Sequence, residues 1–203
     1  MKRMFAIALG LLFVGFGAIW QSDQASGQGA RWVMLFDGKN LDQWNGDGTA
    51  NFQIADGSIV AVDKKDPKAT ASYLVSKESY KDFELFAEFW VSNDANSGIF
   101  IRCTDPQKVG SKTAYEVNIF DTRPDPSYGT GAIVDTAKAS KMLKAGGKWN
   151  TYHIVAKGSK LTVTLNGTKT VDGAEDARFA AGPIALQFGV GVVMFRKVQI
   201  RAL

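Results

Sequence analysis

A chain of 203 residues with 45% hydrophobic and 22% charged side chains is globular in make-up and long enough for one domain with a sizeable core. Its formal net charge of +4 is small, and its 24 lysines and arginines are mostly spread singly, which argues against a nucleic-acid partner. With Cys103 as the only cysteine, no intrachain disulfide forms, and the fold must hold through its core alone.

The N terminus reads as an export signal over residues 1–27. Lys2-Arg3 precede an apolar run, Met4 to Trp20, and a polar, small-residue stretch follows, Gln21 to Ala30. Cleavage after Gly27 or after Ala30 fits this layout. An uncleaved anchor is the alternative, since the run is near the lower limit for spanning a bilayer. No cysteine ends the run, so it carries no lipoprotein anchor. The expectation is a periplasmic or secreted protein with one β-sandwich domain over 31–203, touching a membrane only through the leader if that is retained.

Past the leader no long helical pattern occurs. Trp32 to Phe36 reads as a strand stopped by Asp37-Gly38-Lys39-Asn40. Short extended pieces follow at Leu41 to Trp44 and Asn51 to Ile54. Asp56-Gly57 marks a tight turn into Ser58 to Val62. Asp63 to Thr70 is a charged surface loop, and Ser72 to Val75 another strand. In Asp82 to Val91, Phe83, Leu85, Ala87, Phe89 and Val91 share one face, and Glu84, Phe86, Glu88 and Trp90 the other. Trp90 is either a sugar-stacking platform or packing under a loop.

Two central strands follow, Gly98 to Cys103 and Ala114 to Phe120. Strand parity places Ile99, Ile101 and Cys103 on one face of the first, and Gly98, Phe100 and Arg102 on the other. In the second, Tyr115, Val117 and Ile119 oppose Glu116, Asn118 and Phe120. With the aliphatic sets inward, Arg102, Glu116 and Asn118 stand outward, as an acid/base or polyol-binding site or as a plain solvated face. Cys103 reads as a buried small hydrophobe.

Asp121 to Gly129 holds two prolines and a glycine, which rule out a regular element, and is placed as the rim of a site. Gly131 to Val134 reads as a short strand, and Thr136 to Ala145 as coil or a brief helical turn. Asn150 to Lys157 and Leu161 to Leu165 are strands, and Asn166-Gly167 reverses the chain into Thr168 to Val171. Asp172 to Gly182 reads as a polar loop, and Pro183 to Phe188 and Val192 to Ile200 as the last strands. Roughly a dozen short strands with turn signals between them, and no repeat, indicate an all-β, two-sheet antiparallel sandwich.

Several phrases then carry a family resemblance. They are Leu35-Phe36-Asp37-Gly38-Lys39-Asn40-Leu41 with Trp44, Tyr80-Lys81-Asp82-Phe83-Glu84-Leu85, Asn96-Ser97-Gly98-Ile99-Phe100-Ile101-Arg102, and Tyr115-Glu116-Val117-Asn118-Ile119. Trp149-Asn150-Thr151-Tyr152, Gly182 to Gln187 and Phe195 to Ile200 complete the set. In this order they resemble the 3-keto-disaccharide hydrolase domain family of exported bacterial proteins. The resemblance implies a concanavalin A-like jelly-roll sandwich of the lectin/glucanase type. The chain departs from the family pattern at Phe86, Trp90, Val134 and the Gln187-Phe188-Gly189-Val190 sequence, which bears on substrate identity.

A sandwich-fold glycosidase of the ordinary kind sets two carboxylates on one strand at i and i+4. Glu116 is followed by Asn118 and Phe120, so the second is missing. Glu84 and Glu88 have the spacing but read as a solvent-facing pair. A 3-keto sugar needs less, because its ketone acidifies the hydrogen at C2. In that reading Glu116 is the base and Arg102 stabilises the oxyanion. Asn118 and Gln187 orient the sugar, and Asp121 binds sugar or, with Glu116, a divalent cation. That divalent cation is the one cofactor the sequence points to. The sole histidine, His153, reads as structural. Two readings follow: an exported hydrolase or lyase acting on 3-keto-glycosides or related disaccharides by elimination and hydration, or a non-catalytic carbohydrate-binding module. A wall- or fibre-associated interaction domain is a third. Each takes carbohydrate as partner.

Overall fold

The computed structural model describes residues 30–46, 49–61, 68 and 71–203. The leader over 1–27 and nearly all of the charged loop at 63–70 lie outside them. Among the described residues thirteen strands follow one another: β1 (Val33–Phe36), β2 (Trp44–Gly46), β3 (Gln53–Ala55), β4 (Ser58–Ala61), β5 (Ser72–Tyr80), β6 (Phe83–Val91), β7 (Asn96–Ile101), β8 (Tyr115–Ile119), β9 (Trp149–Lys157), β10 (Lys160–Leu165), β11 (Thr168–Glu175), β12 (Gly182–Val190) and β13 (Val193–Ala202). One 3-10 turn among them, Pro126–Tyr128, lies in the Asp121–Gly129 loop that was expected to hold no regular element; Asp125 caps it and Pro126 opens it. The larger sheet has the order β11-β10-β9-β6-β13-β4-β3, with β1 added to β13; the smaller has the order β2-β5-β12-β7-β8. All strand pairs are antiparallel, and the molecule is an all-β, two-sheet sandwich.

The alternation read from β6 decides its orientation. Phe83, Leu85, Ala87 and Phe89 are fully buried and share one core with Ile99, Ile101, Tyr115, Val117 and Ile119 of the smaller sheet. Burying each large apolar side chain contributes roughly 1.5–3 kcal/mol, so a register slip that turned this face outward would be costly. Both dipeptide turns are built as expected. Asp56-Gly57 has φ of 48° and 68°, and Asn166-Gly167 has 49° and 77°, the paired positive φ of a type I′ hairpin.

Several elements run differently from the sequence reading. β5 continues nine residues to Tyr80, because the Ser76 hydroxyl accepts the Ile184 N–H (2.9 Å) and bridges a break in the ladder with β12. β11 extends through Glu175, so the first third of the expected Asp172–Gly182 loop is strand. The segment expected as a strand at Gly131–Val134 makes only isolated bridges, from Ile133 to Val117 and to Ala137. It still backs the free edge of β8, with Asn118 N–H donating to Ala132 O and Val134 N–H to Glu116 O. Residues 136–145 carry no helical turn.

The largest departure is at Arg102. Its φ of 54° breaks the parity that the strand reading assumed. β7 ends at Ile101, two residues short of the expected end at Cys103, and the chain turns over at that point. Cys103 therefore joins Phe100, Val75, Ala114 and Ala185 on the outer side of the smaller sheet rather than Ile99 and Ile101 inside. It is buried there all the same, and burial pushes its thiol up to about 12, which leaves it inert at neutral pH.

Candidate active site on the outer face of the smaller sheet

Strand register fixes which outward side chains are neighbours. Across β8, β7, β12 and β5, one row is Asn118, Gly98, Gln187 and Tyr73; the next is Glu116, Phe100, Ala185 and Val75. Gly98 stands where a side chain would otherwise separate Glu116 from Gln187. A Cβ there would lie 3.4 Å from both Gln187 Oε1 and Glu116 Cγ. The glycine thus opens a notch with a carboxylic acid on one wall and an amide on the other.

Polar atoms in this notch lack partners. Asn118 is fully buried and its Nδ2 donates to the Tyr128 carbonyl at 2.7 Å, which fixes the amide orientation; Oδ1 accepts nothing. Gln187, 8% exposed, places Nε2 3.3 Å from the Tyr73 hydroxyl and leaves Oε1 without a donor. An unmatched buried acceptor costs about 1–3 kcal/mol, so two beside one glycine mark a place where donors are expected to arrive with a ligand.

Glu116 is half-buried, and desolvation raises its pKa to about 7. Arg123 opposes the rise and Asp135 adds to it, but burial outweighs both. A carboxyl group poised at neutrality can take or give a proton at little cost. Arg123 comes from the Pro-rich loop that the sequence placed at the rim of a site. The reading missed it as a candidate, because no periodicity exists in such a loop. Its charge reaches Glu116, Asp125 and Asp135, which makes it a cation beside this site, with Lys112 and Lys138 acting on the same rim acids.

Three residues expected here are elsewhere. Arg102 is 1% exposed and directed to one end of the sandwich. Its guanidinium donates to Lys81 O (2.8 Å), Gly158 O (2.8 Å), Phe179 O (3.3 Å) and the Asp82 carboxylate (3.1 Å). It ties three loops together and has no access to the notch. Asp121 faces inward, near enough to buried Tyr152 to raise that phenol's pKa beyond the effect of burial. Its carboxylate accepts from Thr130 Oγ1 (2.5 Å), Ala145 N–H (2.8 Å) and Gly146 N–H (2.8 Å), and so pins the rim loop. Glu116 and Asp121 thus stand on opposite sides of β8 and do not make a shared cation site. Among the described residues no three His, Cys, Asp or Glu side chains gather as a metal would need. Trp90 belongs to β6 of the larger sheet, beside Trp149 and Met194, on the far side of the molecule. Parity had placed it outward correctly but does not say on which sheet.

On that far side the acids are matched. Glu84 would be raised by desolvation, but hydrogen bonds from His153 (3.2 Å) and Arg201 (2.8 Å) hold it below its usual range. Glu88 pairs with Arg196 at 2.7 Å and Lys197 at 3.7 Å. Arg196 also covers the Trp149 ring at 3.8 Å, and Arg201 the Trp32 ring at 4.9 Å. His153 is thereby a structural partner of Glu84.

Residues 31–201 match the family model described as the 3-keto-alpha-glucoside-1,2-lyase-like domain. Two solved structures from Parabacteroides distasonis ATCC 8503, both provisionally named glycosyl hydrolases, share the fold. One is 20% identical with a TM-score of 0.74, covering 85% of this chain and 94% of its own. The other is 26% identical with a TM-score of 0.68, covering 85% of this chain and all of its own. A carbohydrate-binding module, CBM66 from Bacillus subtilis, is 17% identical with a TM-score of 0.58 and matches 79% of this chain and 96% of its own. No match was found among functionally curated proteins. The family match and these neighbours agree on a carbohydrate-related β-sandwich. The chain belongs to the 3-keto-alpha-glucoside-1,2-lyase-like domain family.

Proposed function

We propose that this protein is an exported enzyme that cleaves 3-keto-glycosides by elimination across C1–C2, followed by hydration. The observation that carries this reading is Glu116, a carboxyl group with a pKa near 7, set across a glycine notch from an unpartnered buried amide oxygen. The ketone at C3 makes the C2 hydrogen acidic, and Glu116 removes it. The electron pair enters the enolate, whose oxygen is stabilised by Arg123 in place of the unavailable Arg102. The enolate collapses, the C1–O bond breaks, and the proton held by Glu116 passes to the departing oxygen. Water then adds across the new C1–C2 double bond, the hydroxyl to C1 and the hydrogen to C2, so the sum is hydrolysis. Asn118 Oδ1 and Gln187 Oε1 accept sugar hydroxyl hydrogens and orient the ring. A single carboxylate suffices, which agrees with the missing partner on β8. The basic and apolar N-terminal run supports export.

Release of the aglycone from a chromogenic 3-keto-glucoside, beside its unoxidised parent, tests this. Only the keto substrate is expected to react, with kcat/KM rising with pH through an inflection near 7 as Glu116 ionises. Glu116→Gln is expected to lower kcat about a thousandfold. Full activity in that variant sinks the assignment.

The second reading is a non-catalytic sugar-binding module. The same two orphan acceptors support it, since they would serve a bound glycan without any chemistry. No release from either substrate, with retained binding of glucosides, selects this reading.

A further inference from the structure

A cleft of about 560 Å3 lies on the same outer face, between β2 and β5 on one side and the 105–110 loop on the other. It is within the roughly 300–1,000 Å3 of small-molecule sites. The notch and the cleft are joined through Tyr73. Its hydroxyl meets Gln187 Nε2, its ring packs edge-on against Phe100, and it lines the cleft. Glu116 on β8 and the cleft wall on β5 are three strand steps apart, about 14 Å at the usual interstrand spacing. That length suits a sugar ring in the notch and its aglycone in the cleft.

The cleft has an uneven charge. Lys77 and Lys108 line it from opposite walls, and no aspartate or glutamate is among its described lining residues. Neither lysine takes part in an ion pair among the described residues. Both backbones are held. Lys77 N–H donates to Gln43 O at 2.9 Å; Lys108 N–H donates to Asp105 O at 3.0 Å and its carbonyl accepts from Thr113 Oγ1 at 2.6 Å. Two lysines lining one cleft, with no acid among its described lining residues, favour anions within it.

We infer that the cleft is the aglycone subsite of the site at Glu116 and that it takes an anionic group, a carboxylate, sulfate or phosphate carried by the leaving sugar. The subsite rests on the keto-glycoside reading for its place in a reaction, but its binding preference can be measured without turnover.

The purified chain is titrated calorimetrically with para-carbamoylphenyl glucoside and with its carboxylate, sulfonate and phosphonate counterparts. At about 20 mM salt the anionic probes are expected to bind about tenfold tighter than the neutral amide, and at about 0.5 M salt the difference should shrink to about twofold or less. The K77Q/K108Q variant should lose the preference, and K77R/K108R should keep it. The order among the anions separates uronic, sulfated and phosphorylated glycans as the source. Equal binding of neutral and anionic probes, or a preference that survives K77Q/K108Q, overturns the inference. Turnover of 3-keto forms of the same glucosides is read separately. Anion preference without turnover keeps the subsite and removes the reaction. Turnover without anion preference does the reverse, and the absence of both binding and turnover removes both.

Discussion

The two outer faces of this sandwich carry similar residue types in opposite states. On the larger sheet Glu84 and Glu88 are met by His153, Arg201, Arg196 and Lys197, and cations cover Trp149 and Trp32. On the smaller sheet Glu116 is kept near pKa 7 by burial, and two buried amide oxygens have no donor. From sequence alone the larger face looks richer, with a carboxylate pair at i, i+4 and an outward tryptophan. What marks a ligand site is unmatched polar capacity gathered in one place: the larger face leaves a single buried donor, Arg201 Nε, without a partner, whereas the smaller has two orphan acceptors beside a raised carboxyl group.

The comparison breaks most severely at Arg102 if that residue belongs to the site after all. Arg102→Leu leaves three carbonyls and Asp82 without their buried donor, and is expected to cost about 3–5 kcal/mol of stability. Denaturant titration reads this loss, while kcat of the folded fraction on a 3-keto-glucoside should stay close to that of the parent chain. A collapse of kcat with stability intact would return Arg102 to the chemistry.

A slightly smaller effect sharpens the contrast through pH. The folded pKa of Glu116, about 7, is above its reference value of 4.5, so the folded state binds the extra proton. Its contribution to stability is complete below pH 4.5 and is lost as pH rises to about 7, by roughly 3 kcal/mol. Glu116→Gln should therefore be more stable than the parent chain at pH 8 and indistinguishable from it at pH 4. Glu84, held low by its partners, behaves in the opposite sense and is stabilising above its reference value. Thermal melts of Glu116→Gln at the two pH values check the first of these. An unchanged difference across the range contradicts the burial argument.

The smallest effect is at Trp90. Trp90→Ala sits on the opposite face from the notch and is expected to leave KM and kcat for the keto-glucoside within about twofold, although some packing is lost. A large rise in KM would mean that substrate reaches around to the larger sheet.

Much of this arrangement was legible in the chain. Alternation put Phe83, Leu85, Ala87, Phe89, Val91, Ile99, Ile101, Val117 and Ile119 on the inside, and so placed Glu116, Asn118 and Gln187 on a common outer face. Three things were not legible, each for a physical reason. Parity holds only while φ stays extended, and the positive φ at Arg102 ended it and sent Cys103 to the other side. Parity tells in from out but not one sheet from the other, which misplaced Trp90. Asp121 and Arg123 stand in irregular backbone whose partners, Thr130, Ala145 and Gly146, are brought up by loop closure. No local pattern encodes such contacts.

The knot around Arg102 also bears on how the molecule assembles. Its acceptors are 21, 56 and 77 residues away along the chain and belong to turns of the larger sheet and the approach to β12. A half-formed sandwich leaves that cation in water, and its four hydrogen bonds form only when the turns of both layers are in place. The arginine thereby favours closure of this end and couples the two layers.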